Sequence, residues 1–389
     1  MLNLPVYMDY HATTPCDPRV LEAMMPFFSQ QYGNASSRGH LFGWQAAEAV
    51  QIAREELASL LHADPSEIIF TSGATESINL AIKGVYELLI GKGNHIITVS
   101  TEHRAVLDTC NHLERLGADV SYLPVKADGL IELDTLKSAI RQNTVLICVM
   151  YANNETGVIQ PVKAIGNIAK EHGILFFTDA TQAVGKIPVD TGKDGIDLLA
   201  CSAHKIYGPK GVGVLYTRRK NPRVRLTAQI DGGGQERGFR SGTLNVPGIV
   251  GFGKAAGLAA IEMDRTMSSV GHLRDKLEKA LLELEGASLN GNNGLRLPTV
   301  SNISFAHAAG KRLLEGLLKD VAVSSGSACS SASPEPSHVL KAMGLDDGSA
   351  FHSIRFSLGK FNTEEEVDFV IQKVESTLEG IWKFEDLEI

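Results

Sequence analysis

The chain has 389 residues, 43% of them hydrophobic and 21% charged, with a formal net charge of -8. That length exceeds what one core usually holds and predicts two domains, since domains run to roughly 100–200 residues. The apolar share excludes disordered and fibrous classes, and the acidic balance argues against a nucleic-acid surface, which needs a Lys/Arg excess. Arg218, Arg219, Lys220, Arg223 and Arg225 form the one basic cluster and read as a solvated loop after a strand. Residues 1–10 carry neither a basic region nor an apolar run of the secretory kind. The longest apolar stretch, 145–152, is too short to span a bilayer, so a cytoplasmic protein is expected. Five cysteines without C-x-x-C spacing suggest a reducing compartment, with no disulfide framework and no metal site. Cys110, Cys148 and Cys201 sit among apolar neighbours and read as small core residues, while Cys16 beside Pro15 leaves both readings open.

From about residue 67, short β-branched runs alternate with helical periodicity, which predicts an α/β fold whose mainly parallel sheet is covered by helices on both faces. Strands are expected at 68–71, 95–100, 119–123, 145–150, 174–178, 198–201 and 212–216. Helices are expected at 75–86, 105–115, 133–140 and 162–172, with Gly117 and Gly173 as stops. Residues 246–285 read as long helix, amphipathic over 272–285, bridging to a smaller α+β domain. That domain should hold strands at 299–305, 321–324 and 354–357 and helices at 313–319, 336–342 and 363–382. The small-residue stretch 324–333 reads as a mobile loop.

In open parallel sheets ligands bind where strands end, so the residues just after each apolar run carry the information. The run 174–178 leads into Asp179, a carboxylate that either holds a protonated pyridine nitrogen or caps a helix. The run 198–201 leads through Ser202, Ala203 and His204 to Lys205, and an amine desolvated at such a place becomes a nucleophile for aldehydes. A phosphate-loop reading of Lys210 lacks its motif, because Gly211 follows where Ser or Thr is required. Thr71-Ser72-Gly73-Ala74-Thr75-Glu76 joins strand to helix through small residues, either an anion cradle or an ordinary helix cap. Together the aspartate, the lysine and the cradle supply the three fixings of pyridoxal 5'-phosphate: ring nitrogen, aldehyde and phosphate.

Here the sequence resembles a family. Ser72-Gly73-Ala74-Thr75-Glu76-Ser77, Glu102-His103, Asn153-Asn154-Glu155-Thr156-Gly157, Asp179-Ala180-Thr181-Gln182, Ser202-Ala203-His204-Lys205 and Arg240-Ser241-Gly242-Thr243 are similar to the motifs of the cysteine desulfurases of the NifS/IscS type. So is Ser324-Ser325-Gly326-Ser327-Ala328-Cys329, and the likeness runs from Asp9 to Arg355-Phe356-Ser357-Leu358-Gly359. The resemblance implies a fold-type I pyridoxal-phosphate transferase within the class-V aminotransferases. It implies a large domain of residues 16–258 and a small domain of 1–15 and 259–389 that carries the loop 324–333, in a homodimer with sites at the subunit interface.

Carried over by resemblance, Lys205 bonds the cofactor aldehyde, Asp179 faces the ring nitrogen, Gln182 neighbours the ring hydroxyl and His103 stacks on the ring. Ala74, Thr75, Ser202 and His204 hold the phosphate, and Thr243 reaches in from the other subunit. Asn154 and Arg355 bind the carboxylate of L-cysteine, with Asn34 close by. Lys205 and His103 then handle protons while the thiolate of Cys329 takes the substrate sulfur as a persulfide, leaving alanine. The persulfide would pass to a protein acceptor such as an iron–sulfur scaffold or a tRNA thiolation protein. A class-V aminotransferase would share the cofactor residues without needing Cys329, a selenocysteine lyase would use the same machinery, and a non-enzymatic partner subunit would dispense with Lys205 or Cys329. His11 departs from the small or amide residue of many relatives, and residues 382–389 stop short of the tail that docks a scaffold in housekeeping members, which leaves the acceptor open.

Overall fold

A computed structural model describes residues 2–305, 309–325 and 335–385. Ahead of the main sheet lies a two-residue strand, β1 (Val6–Tyr7). Seven strands then build one sheet: β2 (Ile68–Thr71), β3 (His95–Val99), β4 (Asp119–Leu123), β5 (Thr144–Cys148), β6 (Leu175–Asp179), β7 (Leu198–Ser202) and β8 (Gly213–Thr217). Their order across the sheet is β2-β8-β7-β6-β5-β3-β4. The run from β7 to β4 is parallel, whereas β8 is antiparallel to both β7 and β2. The reversal has a plain cause, since a parallel connection needs a crossover of a dozen or more residues and only 203–212 separate β7 from β8.

Successive strand residues point to opposite faces, and β6 shows both faces covered. Phe176 packs into a core with Leu57, Ile165 and Phe252, while its neighbour Phe177 packs into another with Ile82, Val106 and Leu113. The helices on the first face include Leu41–Leu60, Val162–Glu171 and Val246–Leu282, and those on the second include Ala74–Leu89 and Arg104–Glu114. Helix Leu41–Leu60 is absent from the sequence expectations. Its buried stripe of Ala46, Val50, Ala53 and Leu57 is blurred by exposed Leu41, Phe42, Trp44 and Ile52. By length and composition, Val246–Leu282 is apolar enough over 18 residues to cross a membrane. It lies on helix Leu41–Leu60 instead, and at the contact a Cβ on Gly253 would fall 2.4 Å from the Ala53 Cα.

The second unit is built on β9 (Ala287–Leu289), β10 (Val300–Phe305), β11 (Val321–Ala322), β12 (Ser324–Ser325) and β13 (Ser353–Ser357). Four of them form an antiparallel sheet in the order β12-β13-β10-β9. The expected strand at 321–324 divides in two because its halves find different partners. Val321 and Ala322 pair with Val6 and Tyr7 of β1, and Ser324 and Ser325 pair with Arg355 and Ile354. Ile303, Phe305, Ile354 and Phe356 share a core with Val367, Val370 and Val374 of helix Glu364–Glu385.

A strap of residues 9–14 joins the two units. Tyr10 N donates to Ser357 O on one side, and Thr14 N donates to His204 O, next to Lys205, on the other. Cys110, Cys148 and Cys201 are buried and unbridged, and burial pushes each thiol up from its ordinary value, in line with a core role.

Candidate active site

A cavity of about 630 Å³ opens at the carboxyl ends of β6 and β7, the expected place for a ligand on such a sheet. Asp179 closes β6 and Ser202 closes β7, so both are placed by apolar runs that end at the cavity wall. Asp179 is 6% exposed, and its Oδ1 accepts from Thr181 N at 3.0 Å. Lys205 sits in the short turn after β7, where burial and then the Arg355 cation lower its amine to about 8. Its Nζ donates to the carbonyls of His11 and Ala12, the latter at 2.8 Å. Gln182, 4% exposed, donates from Nε2 to His11 O at 2.9 Å and accepts on Oε1 from the buried Lys186 Nζ.

One end of the cavity is made for an anion. Helix Ala74–Leu89 begins there, and the N–H groups of a first helical turn have no partners within the helix. The turn is drawn close to the sheet: a Cβ on Gly213 would lie 2.6 Å from the Gly73 backbone. Glu76 braces it by accepting from Ser72 N at 2.8 Å and from Arg240 Nε at 2.8 Å. His204 and Lys210 also line the cavity. His204 is lowered to about 4 by burial and then by Lys205 and Lys210, so it stands there as a neutral ring.

His103, Asn154 and Arg355 line the cavity as well. His103 caps helix Arg104–Glu114 by accepting from Ala105 N on Nδ1 at 3.1 Å. The ring proton of its neutral form therefore sits on Nε2, the nitrogen left for the cavity. Arg355 comes from β13 of the smaller unit and is 9% exposed. Its Nη1 donates to Asn154 O at 3.0 Å, and its Nη2 donates to Asp9 Oδ1 at 2.7 Å and to Ser324 Oγ at 3.0 Å. Thr181 Oγ1, on a residue of the cavity wall, is buried with no hydrogen-bond partner.

Of the residues expected from the sequence, Ala74, Thr75, His103, Asn154, Asp179, Gln182, Ser202, His204, Lys205 and Arg355 line this one cavity. Thr243 and Asn34 do not. Thr243 is exposed beside Arg240 and Asn245 in a separate surface depression, and exposed Asn34 accepts from Ser36 N. Cys329 lies outside the described residues. Sequence reasoning gave His11 little weight and missed Lys186, both buried against the site. The signal for Lys186 was its place four residues after Gln182, in the segment that leaves a strand end.

The family described as aminotransferase class-V matches residues 6–370. The chain is 56% identical to a protein of Anaeromyxobacter dehalogenans (strain 2CP-C) named "Cysteine desulfurase IscS", over 95% of this chain and 92% of the relative. Among solved structures, one named "NIFS-LIKE PROTEIN" superposes with a TM-score of 0.89 at 42% identity, over 97% of this chain and all of the other. Another, "SspA in complex with cysteine", gives a TM-score of 0.81 at 40% identity over 92% of this chain and all of the other.

Proposed function

The chain belongs to the class-V aminotransferase family, and from that membership we propose that it is a pyridoxal-phosphate-dependent cysteine desulfurase, converting L-cysteine to L-alanine and keeping the sulfur on Cys329. The observation that carries this reading is Lys205, an amine lowered to about 8 in the same cavity as a buried aspartate and a buried arginine. The donor set fits the cofactor. Lys205 suits its aldehyde, Asp179 its ring nitrogen, and the first turn of helix Ala74–Leu89 with Ser202 and His204 its phosphate. When bound, the cofactor supplies an electron sink for the pair left at Cα of an amino acid.

The protein's own groups do the rest. Asp179, at the end of β6, would offer its carboxylate to the ring nitrogen of the bound cofactor. Arg355, held by Asp9 and by Asn154 O, offers a fixed cation to the substrate carboxylate. Lys205 Nζ, neutral above about 8, takes the Cα proton, and His103 Nε2 moves protons at the side-chain end of the substrate. The Cys329 thiolate attacks the substrate sulfur. An S–S bond forms as the Cβ–S bond breaks, so the enzyme holds a persulfide and the carbon skeleton, after protonation, leaves as alanine. Ser324, five residues before Cys329, donates to Asp9 Oδ1 and accepts from Arg355, so the segment that carries the thiol starts beside the substrate-binding arginine.

On this reading residues 16–258 hold the cofactor, and 1–15 with 259–389 form the smaller domain that brings Arg355 and Cys329. A homodimer fits the exposed apolar surface of Phe28, Tyr32, Leu41, Phe42 and Trp44, and Thr243 then serves the neighbouring subunit's site, with Asn34 near the substrate. The four free thiols among the described residues suit the cytoplasm, and the persulfide goes to a protein acceptor such as an iron–sulfur scaffold. The test is direct: the purified protein with cofactor absorbs visible light and releases alanine and sulfide from L-cysteine with a reductant. Cys329→Ser keeps the absorbance and loses sulfide release. Turnover that survives this change refutes the assigned nucleophile.

A further inference from the structure

His11 is a buried titratable group to which the proposed chemistry gives no task. Its residue is 1% exposed, and its two ring nitrogens face different partners. Nδ1 lies 3.0 Å from Asn154 O, and Nε2 lies 2.8 Å from Thr299 Oγ1. A carbonyl oxygen can only accept, so the proton of the ring sits on Nδ1. Nε2 then keeps its lone pair, and the Thr299 hydroxyl donates to it. Charging the ring is opposed first by its burial and then by the basic groups of Lys186, Arg355 and Lys205 around it, which hold its pKa well below the ordinary value. The nearby carboxylate on the same strap, Asp9, is engaged by Arg355 and Ser324.

The backbone of the same residue is equally committed. His11 N donates to Ser357 Oγ at 3.0 Å, and His11 O accepts from Gln182 Nε2 and from Lys205 Nζ. Asn154 O, the acceptor of the ring, also takes Arg355 Nη1. One residue thus links the nucleophilic amine, the amide beside it and the arginine of the smaller unit. A small side chain here would leave the Thr299 hydroxyl without this acceptor and the strap without its anchor to Asn154.

We propose that His11 is a positioning residue whose ring, donating from Nδ1 to Asn154 and accepting at Nε2 from Thr299, locks the strap so that the carbonyls of residues 11 and 12 aim Lys205 Nζ and share a support with Arg355. The inference rests on the roles given above to Lys205 and Arg355. It asks for a hydrogen-bond donor at the place of Nδ1, where a merely space-filling role would accept any side chain of similar size.

Two measurements on the full-length holoenzyme decide it. Long-range proton–nitrogen correlation spectra of protein labelled with 15N-histidine should show one ring protonated on Nδ1 and unchanged between about pH 6 and 8.5. That signal is assigned by its loss in His11→Asn. A His11 ring protonated on Nε2, or one that titrates near the ordinary value of about 6.5, overturns the proposal. In the second measurement, His11→Asn keeps a donor near the place of Nδ1 while His11→Met keeps bulk alone. The cofactor dissociation constant, read by visible absorbance, should stay within about twofold in Asn and rise about tenfold in Met. Equal weakening in both, or none in either, refutes positioning. Should the Met variant fail to fold, the tautomer alone decides. Because the tautomer is read without turnover, and wild-type sulfide release is assayed in parallel, a failure here is distinct from a failure of the desulfurase assignment.

Discussion

The two walls of the cavity are held by different physics. Asp179 and Lys205 stand at the ends of strands sealed in apolar cores on both faces, so the positions of these charged groups follow from packing they take no part in. Arg355 stands on a strand with one apolar face and one polar face. Ile303 and Phe305 of the neighbouring β10 point into a core, while Asn302 and Ser304 of the same strand join a buried polar cluster. There Asn290 Nδ2 reaches Asn302 Oδ1 at 2.8 Å, Ser304 Oγ at 2.9 Å and Ser353 Oγ at 3.0 Å, and Asn302 Nδ2 reaches Glu155 O at 3.2 Å. The polar face thus meets the Asn154–Glu155 segment that lines the site. Apolar packing resists loss of volume, and a buried polar cluster resists loss of a partner, so the two walls should fail under different substitutions.

The sharpest way to break this contrast is Phe177→Ala. The side chain is fully buried in the core behind Asp179, and its removal should cost about 3–5 kcal/mol in urea unfolding through the cavity it leaves. A loss below about 1 kcal/mol would mean that the large wall is not held by packing. Asn290→Ala removes little volume but leaves three buried polar partners short, and about 1–3 kcal/mol should disappear. Its cofactor absorbance should be unchanged, because the damage stays on the small wall.

The smallest effect links the two walls across the cavity. Only a neutral amine adds to an aldehyde, so the rate at which cofactor-free protein captures pyridoxal 5'-phosphate should rise with pH through a midpoint near Lys205's value of about 8. Burial is the main cause of that lowering and the Arg355 cation the second. Arg355→Gln removes a group that disfavours the charged amine, so the Lys205 pKa rises and the midpoint moves upward, by less than about one pH unit. Stopped-flow absorbance across the range reads the shift. A downward move would show that Arg355 acts on Lys205 by something other than its charge.

What the chain could declare locally, it did. Short apolar or alternating runs marked the strands, including 68–71 and 119–123 to the residue, and the polar residues that follow the apolar runs marked Asp179 and Lys205, because strand period and strand ending are properties of a few consecutive residues. The motif order carried the family as well. Only the tertiary structure decided which segments share β-partners: β8 reversed because its connection is short, and 321–324 divided between two sheets. It also decided that Asp9, Asn154, Ser324 and Arg355 meet, and that His11 and Lys186 are sealed beside them. Such meetings join residues up to 346 positions apart, and they depend on how two cores settle against each other, a quantity summed over the whole chain that no local window contains.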